Sequence, residues 1–440
     1  MPIAKSISSL QLQDTEQRRL LYHYDHIVAP NMAWADMAEN PWRHTIIPLA
    51  LESPALLNAI LAFAAKHLNA VSFSKLRENT SMMPVSSTDS FQQQAVKLLA
   101  REIQEFAAAR SCHTLDIVGR DGSQNRSNAI LATMLVLCNV ETVWPGQFAL
   151  SVPRRVTSDS SLDSPFWQVH LNAARTVLAS QQDSTSLGAH KDSTSVFLEQ
   201  ELFIANTFAS TTNFLNPTTD KDFKLITATP KPSGIFIEFL KLLQMVTSLE
   251  RQAITSPTTL DISGVTPSGL RKLFENARSR TLDLGKTFRV SGANDQLHLS
   301  RTVNCFYHAG LIYSYRALLK DDVLDPPFYQ EKQTQLETSK VELFRAFGFA
   351  EPSKPTFAQD LVWPLFIAGT EASRKEEQEM VVARLQQAMS ETGFSNCQHA
   401  LEFLEELWRR SDSNGGFGER VDWIPFAREW TGMGRTFLVF

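Results

Sequence analysis

Helical periodicity is the feature that most constrains the fold of this chain. Segments of about 12 to 20 residues carry apolar side chains at three- and four-residue spacing, which places those side chains on one face of an α-helix. The alternation typical of strands is scarce. The pattern predicts an all-α protein, a single large multi-helix bundle or orthogonal helical array with an internal apolar pocket. Helices are expected near residues 11–28, 53–71, 90–109, 127–143, 165–180, 196–210, 234–252, 267–289, 298–319, 333–347, 358–372, 374–391, 397–410 and 422–431.

Several helix starts have a signature in the sequence. A capping hydroxyl precedes a proline at three places, Ser53-Pro54, Ser164-Pro165 and Thr266-Pro267. Proline tolerates the first helical position because its missing N–H would have no partner there. Ser373 followed by Glu376 predicts a further start, at which the two side chains cap the backbone reciprocally.

The chain shows no sign of division into separate domains. We find no repeat of fixed period and no long, compositionally biased linker. Residues 1–9 are therefore expected to form a disordered leader, and residues 10–440 one all-α domain. Polar, irregular sequence at about 72–88 predicts a mobile loop within that domain.

The charge balance argues against nucleic acid as the main partner. The 440 residues have a net charge of −5 and a pI of about 6.1, whereas nucleic-acid-binding modules are usually basic, because phosphate neutralisation supplies much of their affinity. The N-terminus lacks the apolar core of a secretory signal, and no uninterrupted apolar segment reaches the length of a membrane span. We expect an intracellular, cytoplasmic protein without membrane contact, or a nuclear one if it is a regulator.

The four cysteines lie too far apart in the sequence for a local metal site. Separations of 26, 167 and 92 residues leave no Cys-x-x-Cys pair, and zinc modules need closely spaced ligands. Histidine and carboxylate residues at metal-ligand spacing are not found either. We therefore expect no metal and no cofactor. The four residues are Cys112, Cys138, Cys305 and Cys397.

The sequence lacks the common catalytic motifs, among them HExxH, GxSxG, the P-loop and a dinucleotide-binding glycine motif. Any chemistry would then depend on single polar side chains. His26 lies one helical turn from Tyr22 and next to Asp25, which is able to orient the ring as in a general base. His170 and Tyr307 are the further candidates for catalytic hydrogen bonding to a substrate. For each histidine, a packed ring with satisfied hydrogen bonds is the common alternative.

Aromatic residues gather at the ends of the predicted helices, beside loops that contain proline and glycine. Such positions suit the walls of an apolar pocket between helices, although ordinary core packing is the alternative for each residue. His308 and Glu371 are expected to add polar groups to the pocket. For Glu371 the favoured alternative is a structural ion pair with Arg374 or Arg384. The expected ligand-binding aromatic residues are Trp34, Trp42, Trp144, Phe148, Trp167 and Trp363.

Three stretches resemble a known family. The first contains YHYDHIVAP (22–30) and NPWRHTIIPLALESPALLNAILAFAAKHL (40–68), the second NAILATMLVLCNVE (128–141) and WQVHLNAARTVL (167–178), and the third WPLFIAGTEA (363–372) with the helix to Leu385. In this order they are similar to the fungal-specific transcription factor domain, the effector region of fungal zinc-cluster regulators, in the subgroup without the more common middle-region signature. The resemblance covers most of the chain, and it implies an all-α body, a fungal source and a response to a small metabolite. The DNA-binding zinc cluster of such regulators needs six closely spaced cysteines, which this sequence does not contain.

Two classes of function are consistent with these features. We favour a stand-alone metabolite-binding protein of fungal secondary metabolism that works as a cofactor-free cyclase or isomerase. Orienting an apolar intermediate, even for a pericyclic cycloaddition, requires only a shaped apolar cavity and a few hydrogen bonds. The alternative is a transcriptional regulator or co-regulator without the DNA-binding module, acting through a protein partner.

A third hypothesis is a regulator whose DNA-binding segment lies outside this sequence. The Met1 start and the polar leader argue against it. Under the favoured hypothesis the partner is an apolar small-molecule metabolite, with no direct contact to nucleic acid or membrane. Association into a homodimer is left open.

Overall fold

The helices form in the order that the periodicity predicts, and the protein is all-α. In the described part of the chain, Val143 and Phe394 form an isolated antiparallel β-bridge, which is not part of a sheet. The predicted leader at residues 1–9 lies outside that part. The computed structural model describes residues 15–33, 39–76, 88–111, 120–143, 166–182, 192–214, 234–255, 265–287, 293–320, 324–349, 360–394, 396–413 and 421–439.

The helices have the following bounds in chain order. The first ten elements are α1 (Thr15–His23), a π-helix (Tyr24–Val28), α2 (Ala29–Asn31), α3 (Pro41–His44), α4 (Ile46–Glu52), α5 (Pro54–Leu76), α6 (Thr88–Ser111), α7 (Arg120–Thr142), α8 (Phe166–Gln182) and α9 (Ser193–Thr212). These are followed by α10 (Ile237–Thr255), α11 (Pro267–Thr287), α12 (Ala293–Leu318), α13 (Pro326–Phe349), α14 (Val362–Glu371), α15 (Lys375–Thr392), α16 (Asn396–Ser413) and α17 (Trp423–Gly432).

The described residues divide into two compact units. The first unit takes its residues from 1–159, 164–202 and 393–395, and the second from 203–392 and 396–440. The boundary falls inside α9. Each unit has its own buried core of apolar side chains.

Helix α5 is the centre of the first unit. Residues 59–65 are buried on every face, as expected of a helix surrounded by other helices, and α5 packs against α1, α6 and α7. By length and composition the window Pro54–Ser72 is apolar enough to cross a membrane, but 61% of it is buried inside the protein. It is therefore a core helix.

Two of the predicted capped starts are confirmed. The backbone N–H of Leu56 donates to Ser53 Oγ (3.2 Å) at the start of α5, and that of Gly269 donates to Thr266 Oγ1 (3.1 Å) at the start of α11. Each hydroxyl thereby satisfies a donor that has no partner within the helix. The third predicted start, at Pro165, lies outside the described residues.

The start of α15 differs from the prediction by one residue. The helix begins at Lys375, and the carboxylate of Glu377 accepts hydrogen bonds from the backbone N–H groups of Ser373 (2.9 Å) and Arg374 (3.2 Å). The later start moves the third helical position from Glu376 to Glu377. Capping by a carboxylate was thus predicted correctly, but the wrong glutamate was assigned.

Helix α5 continues to Leu76, and α6 begins at Thr88. Both helices therefore reach into the range 72–88 that the sequence predicts as a mobile loop. Residues 77–87 lie outside the described part of the chain.

Aromatic contacts hold the second unit together around α12, which packs against α10, α11, α13 and α14. The ring of Phe306 lies 4.8 Å from that of Phe236 and 5.8 Å from that of Trp363, measured between centroids. A second aromatic group surrounds Phe403 of α16, whose ring lies 4.9 Å from that of Phe426 in α17. Offset and tilted rings at these distances attract one another in addition to burying apolar area.

Gly310 of α12 allows α11 to approach closely. A Cβ atom at position 310 would lie 2.3 Å from Cε1 of Phe274, well inside van der Waals contact. The Phe274 side chain is fully buried, and its ring lies 6.3 Å from that of Phe239. It therefore has little room to move away from an added methyl group.

We predict that Gly310→Ala lowers the free energy of unfolding by about 1–3 kcal/mol, because the clash with Phe274 outweighs the higher helix propensity of alanine. Gly348→Ala in α13 is the matched control, since a Cβ there meets no atom within 4 Å. It should stabilise the protein by about 0.5–1 kcal/mol. Thermal or urea unfolding followed by circular dichroism measures both effects, and equal stability of the two variants would contradict the packing described for Gly310.

Candidate functional site

The predicted site residue His26 lies on the π-helix of the first unit, at the surface. Its ring stacks on that of Tyr22, with the centroids 3.9 Å apart and the planes 21° apart. His26 Nδ1 lies 3.1 Å from the carbonyl oxygen of Tyr22 and 3.3 Å from Asp25 Oδ2. Two acceptors around Nδ1 favour the tautomer with the proton on that nitrogen. The side chain is 48% exposed, so Nε2 remains available to solvent.

Asp25 is the buried anchor of this segment. Its Oδ1 lies 3.1 Å from Nε of Arg43, and the same Nε donates to the Asp25 carbonyl oxygen at 2.9 Å. Arg43 belongs to α3, and its side chain therefore joins α3 to the π-helix. The contact between Asp25 and His26 agrees with the predicted orientation of the ring, but the carboxylate is shared with Arg43.

A histidine pair that sequence reasoning missed lies one turn earlier. His23 Nε2 and His67 Nδ1 are 3.0 Å apart, although the two residues are 44 positions apart in sequence. Burial, with a contribution from Arg19, lowers the pKa of His23 to about 4. His23 is therefore neutral at physiological pH, and its ring shares a hydrogen bond with that of His67.

His170 of α8 belongs to a different polar group in the same unit. Burial lowers its pKa, and the carboxylate of Glu141 opposes that shift. Glu141 accepts a hydrogen bond from Gln92 (2.5 Å), and Lys66 Nζ donates to the carbonyl oxygen of Val140 (2.7 Å). The end of α7 and the start of α8 thus lie beside Lys66 of α5, and the Glu141 carboxylate partly offsets the effect of burial on the pKa of both Lys66 and His170.

No hydrogen bond or ring contact between described residues joins His26 to His170. The third catalytic candidate, Tyr307, belongs to the second unit. The described contacts do not bring these three side chains together into one catalytic group. A catalytic role for each of them stays a prediction.

Two of the predicted aromatic residues of the first unit are buried in its core. Trp42 is the second residue of α3, its backbone N–H donates to the Asn40 cap, and its ring meets that of Phe197 edge-on at 5.4 Å. Its indole N–H has no hydrogen-bond partner among the described residues. Trp167 of α8 is also buried. The other three predicted aromatic residues, Trp34, Trp144 and Phe148, lie outside the described part of the chain.

Tyr307 and His308 are neighbours on α12 in the second unit. The Arg278 guanidinium lies 5.3 Å from the centre of the Tyr307 ring and donates to Asn304 (2.8 Å) and Glu275 (3.1 Å). Burial and the carboxylate of Glu275 raise the pKa of Tyr307. Burial and Arg278 lower the pKa of His308 to about 4. His308 Nδ1 has no hydrogen-bond partner in the described part of the chain.

Trp363 lies in the core of the second unit, on α14. Its Nε1 donates to Thr211 Oγ1 at 3.0 Å, and its ring plane is 19° from that of Phe306. Every residue of α14 is buried. The contacts of Trp363 are therefore those of a core residue that also satisfies its one polar atom.

Glu371 forms an ion pair, but with a partner that the sequence did not suggest. Nε and Nη2 of Arg316 donate to its two carboxylate oxygens, each at 3.0 Å. The expected partners are engaged elsewhere, since Arg374 binds Glu377 and Arg384 donates to the Phe347 carbonyl oxygen. The pairing with Arg316 depends on the packing of α12 against α14, which joins residues 55 positions apart.

Two buried carboxyl groups were not identified from the sequence. Burial raises the pKa of Glu201 to about 8 and raises that of Asp360 well above its usual range. Asp360 Oδ2 is buried without a hydrogen-bond partner among the described residues. For Glu201 a signal existed, because it follows Leu198 and precedes a run of buried positions on α9. A carboxylate in such a helix must be paired or neutral.

The three described cysteines are buried free thiols. The Cys138 S–H donates to the Trp167 carbonyl oxygen at 3.4 Å. Burial raises the pKa of Cys305 and of Cys397 to about 12, and it raises that of Cys138 further. Among the described residues no group of three or more histidine, cysteine, aspartate or glutamate side chains is placed to hold a metal ion.

We predict that Arg316→Met destabilises the protein by about 3 kcal/mol, because the Glu371 carboxylate, with 4% of its side chain exposed, loses its bidentate partner. The double variant Arg316→Met/Glu371→Leu should recover most of that loss. Arg409→Met removes a comparable but exposed ion pair with Glu406 and should cost less than about 1 kcal/mol. Urea unfolding of the four proteins checks this, and equal losses for Arg316→Met and Arg409→Met would contradict the role given to the buried pair.

We predict that Glu201→Gln stabilises the protein in a pH-dependent way. A carboxyl group with a raised folded-state pKa is neutral in both states below about pH 4.5, and its ionisation opposes folding increasingly up to about pH 8. Because the side chain keeps some solvent contact, the gain in unfolding free energy should be about 1–2 kcal/mol at pH 8 and near zero at pH 4.5. The exposed control Glu405→Gln should change stability by less than about 0.5 kcal/mol at both pH values. A gain independent of pH would contradict the raised pKa.

Comparison with known proteins identifies one family. A model of the fungal specific transcription factor domain matches residues 19–440. No curated protein and no solved structure matches the chain. The family match extends over both units and includes the three stretches on which the resemblance was based.

This match overturns the favoured interpretation of the sequence. The expectation of a cofactor-free cyclase or isomerase in a biosynthetic pathway was wrong, because the family is one of transcription factor domains and nothing in the match indicates an enzyme. The same match supports a location inside the cell. Because the match covers far more than half of the chain, the protein belongs to the fungal specific transcription factor domain family.

Proposed function

We propose that this chain is a fungal transcriptional regulator or co-regulator that acts in the nucleus. The single observation that carries the proposal is the family match over residues 19–440. The helical body then serves as the effector region, and its output depends on contacts with other molecules. Such contacts require surfaces and buried binding groups but no catalytic group.

The disposition of ionisable side chains supports this proposal. Among the described residues, the buried carboxylates of Glu371 and Glu377 are held in ion pairs with arginine or lysine. His23 and His308 are kept neutral by burial. A general acid or base works best with a pKa near the operating pH; His23 and His308, with a pKa of about 4, do not meet that condition, whereas Glu201, with a pKa of about 8, does.

Two polar groups of the first unit support a small apolar effector as part of the proposed function. The indole N–H of Trp42 has no partner among the described residues, and burial keeps the Glu201 carboxyl group protonated at neutral pH. Each of these groups on its own is able to donate one hydrogen bond to a mainly apolar metabolite with a few polar atoms. Under this proposal the metabolite changes the output of the regulator and is not converted.

Deletion of the gene in its host fungus tests the proposed function. We predict that a set of transcripts changes at least about twofold in the deletion strain and that the wild-type gene restores them, because a regulator acts on several genes at once. RNA sequencing and metabolite profiling of the same cultures are the measurements. Unchanged transcripts combined with accumulation of one late intermediate would contradict the proposal and indicate an enzyme.

A further inference from the structure

An exposed apolar strip follows the junction of α10 and α11 in the second unit. We call it the α10–α11 seam. Met245 is 36% exposed, Leu273 42% and Leu284 39%, while Leu242 and Leu249 beside them are partly exposed. Single exposed apolar residues are common on protein surfaces, whereas several of them along two neighbouring helices suit a contact site.

The register of the two helices places these side chains next to one another. α10 and α11 pack together and are joined by an ion pair between Glu238 and Arg280 (2.9 Å). Two helical turns along each helix from that pair are Met245 and Leu273. In an antiparallel arrangement both lie near the same level of the seam, and Leu284 lies on the other side of Arg280.

The surroundings of the seam are basic, although the whole chain has a net charge of −5. Arg280, Arg278 and Lys286 form ion pairs with neighbouring acids. Among the described residues no ion pair forms for Lys272, which is exposed next to Leu273. Helix α11 carries five basic side chains, Arg271, Lys272, Arg278, Arg280 and Lys286, against two acidic ones, Glu275 and Asp283.

We propose that the α10–α11 seam is the docking site for an acidic amphipathic helix of a partner protein. An amphipathic helix presents apolar side chains at three- and four-residue spacing, which matches an apolar strip between two helices. From Leu273 to Leu284 the strip spans three turns of α11, so a docked segment of about 12 residues covers it. Acidic side chains on that segment would meet Lys272 and the other basic groups of α11.

The same charges argue against two other occupants. A second copy of this chain seated on the seam would bring two basic helices together, and like charges at an interface oppose association. DNA would satisfy the lysine and arginine side chains but would leave the leucine and methionine side chains without apolar partners. The inference rests on the proposed regulatory function, because a regulator needs a surface through which it contacts another protein.

Peptide binding to the purified full chain tests the docking site. The probe is a fluorescein-labelled helical peptide of about 14 residues with leucine on one face and aspartate or glutamate elsewhere. One control peptide has the same composition in scrambled order, and the other has lysine in place of the acids. By fluorescence anisotropy we expect the acidic amphipathic peptide to bind at least about tenfold more tightly than either control, with an affinity that falls as salt is added.

Paired variants locate the site on the protein. Leu273→Asp should weaken binding of the acidic peptide at least about tenfold, and Lys272→Glu several-fold, because each introduces a negative charge at the seam. The controls Val169→Asp in α8 and Lys97→Glu in α6 change equally exposed positions elsewhere and should bind as the wild type does. Thermal unfolding midpoints close to that of the wild type confirm that all four variants are folded.

Three results would overturn the docking site. The first is equal binding of the acidic and control peptides, and the second is undiminished binding of the acidic peptide by folded Leu273→Asp. The third is saturable binding of random duplex DNA that Lys272→Glu abolishes. Dissociation of a homodimer by Leu273→Asp would also count against it, since the seam would then join two copies. If the Leu273→Asp gene fully restores the transcripts in the deletion strain, the docking site is rejected, but the proposed function is still supported. Failure of even the wild-type gene to change transcripts rejects the proposed function itself.

Discussion

The second unit depends on the contacts of one side chain, Trp363. Its ring stacks on Phe306 of α12 and lies 6.2 Å from that of Phe208 of α9, while its Nε1 donates to Thr211. The ring contacts set the separation of the helices, and the hydrogen bond sets the direction of the indole. Three helices are thereby held at one point. The other aromatic residues of the unit, and the ion pair between Arg316 and Glu371, fit around that arrangement.

The distribution of charge separates the interior of the protein from its surface. Inside, His23 and His308 are neutral and the paired carboxylates of Glu371 and Glu377 are neutralised by arginine or lysine, because an isolated charge in apolar surroundings is too costly to keep. The groups that remain charged and accessible lie on outer helix faces, as on α11. A protein arranged in this way offers charged surfaces for association. This arrangement agrees with membership of a transcription factor family.

Local features of the sequence were sufficient for most of the helices, although the periodicity did not predict α3 and α4. The capping hydroxyls of Ser53 and Thr266 act within three residues of their targets, so spacing in the sequence determines the contact. Pairings between distant residues were not accessible in this way. Arg316 meets Glu371 across 55 positions, and His23 meets His67 across 44. Which of several arginines reaches a buried carboxylate depends on how helices pack, and periodicity does not specify that.

The function was harder to infer than the fold for a related physical reason. An apolar pocket wall and an apolar core have the same composition, so the aromatic residues at helix ends supported both interpretations. Trp363 illustrates the ambiguity, because its position suggested a ligand while its contacts are those of the core. The residues around Glu201 signalled a carboxyl group on an apolar helix, but nothing beside it shows whether a cation will approach from another helix, so its raised pKa was not predicted.

The buried thiols have a practical consequence. At a pKa of about 12 only about one molecule in 100,000 carries a given thiolate at neutral pH, and thiolate is the reactive form. Alkylating reagents should therefore modify Cys138, Cys305 and Cys397 only when the surrounding helices open. The rate at which each becomes labelled then reports how often its part of the structure opens. Cys138 belongs to the first unit and the other two cysteines to the second. The labelling rate of Cys138 therefore reports the opening of the first unit, and the rates of Cys305 and Cys397 report the opening of the second.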